Sequence, residues 1–386
     1  MKVCIFTDTL GDLNGVSRFI QDMGRQAAHF DFDLHIVTST VKPIPKAPYI
    51  HNIRPLLRFP MPLYRELDLA FVSGKRLEAK LLELDPDIVH VSTPGPLGLS
   101  ARKLALQYGY SVMGTYHTDI SAYVGLNTRL AFLKRATDRF MARFYEGFLH
   151  VFTRSKEYAA VMTREILIPP ETISFLKPGT DLQTFHPRHR TADHFSRYGV
   201  PRRSINALYV GRITKEKNIL FLIEVWKELR RRHQGVECHL FLAGEGRYRR
   251  LQPKLRRDNI HFLGPVVGEE LSRLYASSDL FLFPSVADTL GQVVMEAQAS
   301  ALPVVVSDRG GPKSLVNFNG RQSGFIARSN DLGEWVAAAG ALLKDAKLRR
   351  RLGEQGHENM QYFNIENSFR HFASTHEAVW RESDTP

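Results

Sequence analysis

Residues 280–307 read LFLFPSVADTLGQVVMEAQASALPVVVS. An apolar run, LFLF, passes through proline and small polar residues into a stretch of helical pattern, and a second apolar run, LPVVV, follows at once. A strand that is apolar at every position, then a helix, then another such strand is the repeating unit of a parallel sheet buried on both faces. The same rhythm extends in both directions. KVCIF, LHIVT, DIVHVS, SVMGTY, HVFTRS and ISFLKPG mark the first half, and NALYVG, CHLFLAG, IHFLG, LFLFPS, LPVVVS and GFIA the second. The fold class is therefore α/β, with two doubly wound, Rossmann-like domains. TFHPRHRTADHFSRYGVPRRS (184–204) is polar, contains prolines and has no period, so it reads as the link between them. Residues 1–190 are expected to form one domain and 191–363 the other. In the remainder, 364–386, NIENSFRHFASTHEAVW (364–380) reads as a last helix with an apolar face of Phe369, Phe372 and Val379, and ESDTP as a loose tail.

Composition narrows the function. Over 386 residues, 43% are hydrophobic and 24% charged, as in globular proteins. No apolar run approaches the roughly 20 residues needed to cross a bilayer, and the first strand-like run has neither the length nor the flanks of a signal peptide. A cytoplasmic protein is expected. Cys4 and Cys238 both sit in strand-like apolar runs, which suits buried thiols better than a disulfide or a metal site. A net charge of +12 calls for an anionic partner: nucleic acid, an anionic membrane or a phosphorylated small molecule. The basic clusters 230–233, 247–250 and 347–352 are scattered and carry no zinc, homeodomain or RNA-binding signature, so nucleic acid is not expected as a partner.

Ligands of doubly wound sheets bind at the carboxyl ends of the strands. After the first strand, TDTLGDLNGVSRF supplies Gly11 and Gly15 ahead of a helix. The dinucleotide glycine spacing is absent, and the second strand ends in Thr38 and Ser39 where a nicotinamide site places an acid, which argues against a dehydrogenase. In GTYHTDISAYVG, His117 and Asp119 follow a buried strand, a position open to a structural or a functional reading. In YVGRITKEKN the strand delivers Gly211 and Arg212, with Lys217 just before the next helix. A planar bidentate cation and a mobile point charge suit a diphosphate. FLAGEG and FLGPV again end strands in glycine. In the opening stretch, a helix beginning near Leu290 or Gly291 offers unpaired amides to a phosphate. Asp288 could merely cap that helix and Glu296 could be a solvated acid. Alternatively both acids avoid the phosphate and take sugar and ribose hydroxyls, with Arg212 and Lys217 neutralising a diphosphate between them.

At these residues the chain resembles the retaining glycosyltransferases of family 4, which have the GT-B fold of two facing doubly wound domains with a C-terminal helix crossing back to the first. NGVS, PDIVHVSTPGPLG, YHTD, KPGTDLQTFHP, VGRITKEKN, LAGEG, FLGPV and PSVADTLGQVVMEAQASALPVVVS carry the likeness over nearly the whole length. The family's commonest pattern is a glutamate, seven residues and a second glutamate; here the first acid is Asp288. The resemblance implies that Arg212 and Lys217 hold the diphosphate and stabilise the leaving charge, Glu296 binds the ribose, and Asp288 contacts the donor sugar with backbone help from Leu290, Gly291 and Gln292. It places Gly15 and Gly211 near the donor, Val266 at the base and His117 beside the transferred sugar. It implies no metal and no cofactor, the nucleotide diphosphate sugar being a substrate.

RFPMPLYRELDLAF and GTYHTDISAYVG look most like the branch of mannosyl and sulfoquinovosyl transferases that act on lipids. The expectation is a hexosyltransferase, of mannose or glucose type, taking a GDP or UDP sugar to a glycolipid, a lipid-linked sugar or a soluble sugar acceptor. In RLAFLKRATDRFMARFYEGF (129–148), Arg135, Arg139 and Arg143 recur at helical spacing beside Phe132, Phe140 and Phe144. Such a helix could lie on the anionic inner face of the cell membrane, or it could be a packed helix with a solvated basic face. A sugar-nucleotide binder without transfer activity, a basic nucleic-acid binder, and the epimerases and phosphorylases built on two facing doubly wound domains are the competing readings.

Overall fold

The structure is a computed structural model that describes residues 1–383 apart from Leu13, Pro62, Leu63, Thr118, Arg129, Ser155, Ala287 and Thr289. Thr118 of the YHTD stretch, Ala287 and Thr289 of the opening stretch, and the last three residues of the expected tail therefore lie outside the described residues. The chain divides into two compact units, Met1–Pro178 with Ile365–Pro386, and Gly179–Asn364.

The first unit contains β1 (Val3–Thr7), β2 (Leu34–Thr38), β3 (Ile50–Asn52), β4 (Leu57–Met61), β5 (Tyr64–Phe71), β6 (Ile88–Val91), β7 (Ser111–Tyr116), β8 (His150–Thr153) and β9 (Ile173–Phe175). Seven of these form one parallel sheet in the order β3-β2-β1-β6-β7-β8-β9, while β4 and β5 pair only with each other as an antiparallel hairpin. The central strand shows why the chain folds this way. Val3 and Ile5 of β1 pack on one face with Phe19, Ile20 and Met23 of the helix Gly15–His29. Cys4 and Phe6 pack on the other with Leu77, Leu97 and Phe144 from three further helices. A period of two along the strand thus serves two cores, and each face needs its own helical cover.

Part of that cover arrives last. The helix Ile365–Ser383 buries Phe369 and Phe372 in the first-face core, and Phe369 stacks on Phe30 with ring centroids 5.7 Å apart. Inside this layer His376 Nε2 lies 3.0 Å from His90 Nδ1, and His90 Nε2 lies 2.9 Å from Thr115 Oγ1.

The second unit contains β10 (Ile205–Val210), β11 (Cys238–Ala243), β12 (Ile260–Gly264), β13 (Leu280–Phe283), β14 (Val304–Ser307), β15 (Asn317–Phe318), β16 (Arg321–Gln322) and β17 (Gly324–Ala327). Six form a parallel sheet in the order β12-β11-β10-β13-β14-β17, and β15 and β16 make a two-residue ribbon. One continuous hydrophobic core runs through this unit.

The divide falls at Pro178/Gly179, before the point at 190/191 read from the sequence. Residues 179–190 look like linker because they are polar, yet Phe185 packs edge-on against Tyr275, and Arg190 donates to the carbonyls of Ala276 and Ser278 at 3.2 and 3.1 Å. Such contacts tie the segment to the second unit. The chain leaves that unit at Asn364, which pairs with Thr180 in a parallel bridge. Both cysteines are buried and free; burial raises the Cys4 thiol to about 12 and that of Cys238 to about 11.

Candidate active site

In the second unit the strand-end loops are shaped by close backbone approaches. Gly211 follows β10 with φ +146°, and Gly244 follows β11 with φ +145°. A Cβ on Gly244 would stand 1.9 Å from the Gly211 carbonyl oxygen, so any side chain there drives the two strand ends apart. Arg212 comes next. Its guanidinium pairs with Glu216 at 2.8 Å, Glu216 also accepts from Thr214 Oγ1 at 2.8 Å, and the Tyr209 hydroxyl donates to the Arg212 carbonyl at 2.8 Å.

Lys217 Nζ donates to both carboxylate oxygens of Asp288, at 2.6 and 2.7 Å, and lies 5.9 Å from the Phe283 ring centroid. Burial alone would raise the Asp288 carboxyl, but Lys217 beside it, with Arg212 adding to the field, holds it below the ordinary carboxylate value. Asp288 does not cap the helix that follows. The N-cap position belongs to Gly291, in the left-handed region at φ +81°, and the helix runs from Gln292 to Ala299. From behind, Gly311 N donates to the Asp288 carbonyl at 2.9 Å, and Gly310, at φ +77°, leaves no room for a Cβ against that same oxygen.

Glu296, on the second turn of this helix, is 3% exposed, which removes the solvated-acid reading. Its Oε2 accepts from the Tyr275 hydroxyl at 3.0 Å. Leu290 is buried, and Gln292 donates from Nε2 to the Gly179 carbonyl at 3.1 Å. Val266, just past β12, is half-buried against the core. One unit therefore brings Gly211, Arg212, Lys217, Asp288, Leu290, Gly291, Gln292 and Glu296 to the carboxyl ends of β10 and β13.

Gly15 and His117 belong to the first unit. Gly15 opens the helix Gly15–His29, whose N-cap Asn14 accepts from Val16 N and Ser17 N at 3.0 and 2.9 Å. His117 follows β7. Its Nε2 lies 2.8 Å from Ser92 Oγ, its ring rests 5.4 Å from that of Phe19, and burial, with Arg154 adding, lowers its pKa to about 3. It is a neutral imidazole. Arg154, just past β8, lies over the Phe19 ring, 4.7 Å from its centroid.

Three residues here escaped the sequence reading. Tyr275 lies between apolar residues of the helix Gly268–Ser277 and reads as core; Glu216 reads as a loop acid among lysines. Asp8, at the end of β1, accepts from Leu97 N at 2.8 Å, Gly98 N at 3.2 Å and Thr93 Oγ1 at 2.8 Å. Burial raises its carboxyl to about 6 against those hydrogen bonds. The TDT that contains it gave a weak signal, since an acid after a strand is common. Among the described residues no group of His, Cys, Asp and Glu is arranged to hold a metal ion.

Solved structures resemble the chain along almost its full length. Sucrose-phosphate synthase from Thermosynechococcus elongatus superposes with a TM-score of 0.77 at 19% identity, covering 99% of this chain and all of that one. HepE of Anabaena in complex with UDP-glucose gives 0.76 at 14% identity, covering 98% of this chain. Identities this low show the fold, and the fold is that of the GT-B glycosyltransferases, an α/β class of two doubly wound units. Family models supply the second step. Residues 13–184 match Glycosyltransferase Family 4 and residues 204–345 match Glycosyl transferases group 1, so the chain belongs to the family 4 glycosyltransferases.

Among individual relatives, the sulfoquinovosyl transferase SQD2 of Arabidopsis thaliana is 27% identical over 358 residues, 90% of this chain and 66% of that protein. A GDP-mannose-dependent alpha-mannosyltransferase of Mycobacterium tuberculosis is 27% identical over 335 residues, 82% of this chain and 81% of that one. A D-inositol 3-phosphate glycosyltransferase of Corynebacterium kroppenstedtii matches over 55% of this chain and 49% of its own. The match thus spans from 42% to 66% of the length of several curated relatives and 81% to 83% of others.

Proposed function

We propose that the protein is a retaining, metal-independent hexosyltransferase that moves a mannose- or glucose-type sugar from a GDP or UDP sugar to a glycolipid or lipid-linked sugar acceptor. The observation that carries this reading is the Lys217–Asp288 pair at the mouth of a helix whose second turn presents the buried Glu296, with Arg212 near enough to act on the same carboxylate. The donor's diphosphate takes Lys217 and Arg212 as partners, and the amides at Leu290 and Gly291 add the positive end of the helix. Once Lys217 turns to the diphosphate, Asp288 is released to the sugar hydroxyls, while Glu296 takes the ribose. As the glycosidic bond breaks, negative charge grows on the departing phosphate, where a lysine and an arginine stabilise it more than in the ground state. Retention follows if a leaving phosphate oxygen accepts the proton of the attacking acceptor hydroxyl on the same face.

The donor reading is supported by solved relatives that carry UDP or UDP-glucose, and the choice of sugars by the mannosyl and sulfoquinovosyl transferases among the relatives. The lipid reading rests on the helix Ala131–Tyr145. Phe144 is buried, but Phe132 and Phe140 are 64% and 43% exposed and share the outward face with exposed Arg135, Arg139 and Arg143. A face of that composition suits the anionic inner leaflet of the cell membrane. No helix among the described residues is long and apolar enough to cross one.

The test is turnover of GDP-mannose, UDP-glucose and UDP-sulfoquinovose with lipid and soluble acceptors. Lys217→Ala and Glu296→Ala should each lower kcat/KM by roughly a hundredfold, the first by loss of a charged partner of the leaving phosphate and the second by loss of charged hydrogen bonds to the ribose. Either variant working as fast as the parent would remove that residue from the site. Loss of activity in EDTA would overturn metal independence, and an inverted product anomer by NMR would overturn retention.

A further inference from the structure

The Tyr275 side chain is fully buried, yet no catalytic or binding role has so far been given to it. It projects from the helix Gly268–Ser277 toward the helix Gln292–Ala299. Its ring stands edge-on to Phe185, at 88° and 5.6 Å, and tilted by 46° against Phe281 at 5.8 Å. Three packed rings leave a buried tyrosine little rotational freedom, so the place of its hydroxyl is set by the core. That hydroxyl stands 3.0 Å from Glu296 Oε2.

A carboxylate 3% exposed on a helix is expensive unless hydrogen bonds hold it in the charged form. It is also useless for binding vicinal hydroxyls unless its lone pairs aim outward. An O–H donor fixed on one oxygen meets both needs: it favours the ionised carboxylate and fixes the rotation of the carboxyl group about its last bond.

We infer that Tyr275 is the positioning residue for Glu296, orienting its carboxylate toward the ribose hydroxyls of the nucleotide and so setting the protein's preference for ribonucleotide over deoxyribonucleotide donors. The inference rests on the ribose role proposed above for Glu296. Tyr275 touches neither the nucleotide nor the reacting atoms and acts through the carboxylate alone. Phenylalanine fills the same space in the same aromatic cluster, so Tyr275→Phe removes the hydrogen bond with the packing kept.

The experiment measures, by calorimetry, binding of UDP and GDP and of dUDP and dGDP to the parent, Tyr275→Phe, Glu296→Ala and the double variant. It is paired with kcat and KM for the best sugar nucleotide and with a melting temperature for each protein. The parent should prefer the ribose form, and Glu296→Ala should abolish the preference. Tyr275→Phe should cut the preference about tenfold, the scale of one hydrogen bond to a charged group, raising KM for the donor while kcat stays within about twofold. In the double variant Tyr275→Phe should have no further effect. If Tyr275 only packs, Tyr275→Phe should leave the ribose preference and the donor KM at parental values, and that result overturns the inference. If Glu296→Ala keeps the full preference, the ribose role of Glu296 fails and this inference with it. If Glu296→Ala loses the preference and Tyr275→Phe retains it, only the present inference fails.

Discussion

At the scale of single residues, the cations of the candidate site are held in place by acids. Asp288 clasps Lys217, and Glu216, itself held by Thr214, clasps Arg212. In the proposed function each acid would compete with the incoming diphosphate and would also keep a long flexible cation in place before it arrives, which lowers the ordering cost of binding. Glu216→Gln keeps the shape and removes the charge. Because Arg212 then loses its aim, kcat for the donor should fall about tenfold in steady-state assays, with the melting temperature nearly unchanged. Gly244→Ala makes the opposite case. Its Cβ would collide with the Gly211 backbone at a φ that L side chains avoid, so denaturant unfolding should show a loss of at least about 2 kcal/mol. Most of this was legible in the sequence as residue types: Gly211, Arg212, Lys217, Asp288 and Glu296 stand out because charge and glycine at strand ends are conspicuous. The acid–cation pairing was hidden, since Lys217 and Asp288 are 71 residues apart and meet only when β10 and β13 lie side by side.

At the scale of elements, strands that are apolar throughout were legible in the sequence and those that are not were concealed. β3, β4, β5, β15 and β16 are short, edge-like or outside the two main sheets, and their half-polar residues carry no buried-strand signature. The helix Ile365–Ser383 was readable from its phenylalanines, but its internal histidine was not. His376 and His90 face each other in the first-unit core; burial lowers His376 to about 4 and His90 well below the ordinary 6.5. Further histidine charge comes from His150 toward His376 and from His117 toward His90. Since both pKa values are depressed on folding, the neutral pair is at no disadvantage above about pH 6.5. Stability is lost as pH falls below that value, because the unfolded histidines take up protons first. Hydrogen exchange should therefore show the 365–383 helix opening more readily at pH 5 than at pH 7.5. His376→Phe should flatten that dependence, and an unchanged pH response would refute the linkage.

On the scale of the whole molecule, a charge of +12 and the outward face of the helix Ala131–Tyr145 bear on the same partner. Replacing Phe132 and Phe140 by serine removes two exposed rings and should leave the melting temperature within about 2 °C, since surface changes are worth little to stability. Sedimentation with vesicles containing phosphatidylglycerol should then drop several-fold at low salt, while turnover of a soluble acceptor stays at the parental rate. Equal sedimentation of both proteins would show that this face does not meet the bilayer. The composition announced an anionic partner but not where it sits, because net charge has no location until helices fix which arginines face outward.

The bridge between Thr180 and Asn364 marks the two places where the polypeptide passes out of the first unit and back into it. The second unit is thus an insertion, and the first is made of segments from opposite ends of the chain. During synthesis the amino-terminal sheet emerges early but waits, with the apolar surface around Phe30 and Phe32 uncovered, until some 190 further residues have been translated and the helix bearing Phe369 can close over it. The half that begins first is the half that matures last, and a chain cut after residue 364 would hold the whole insertion but an unfinished host.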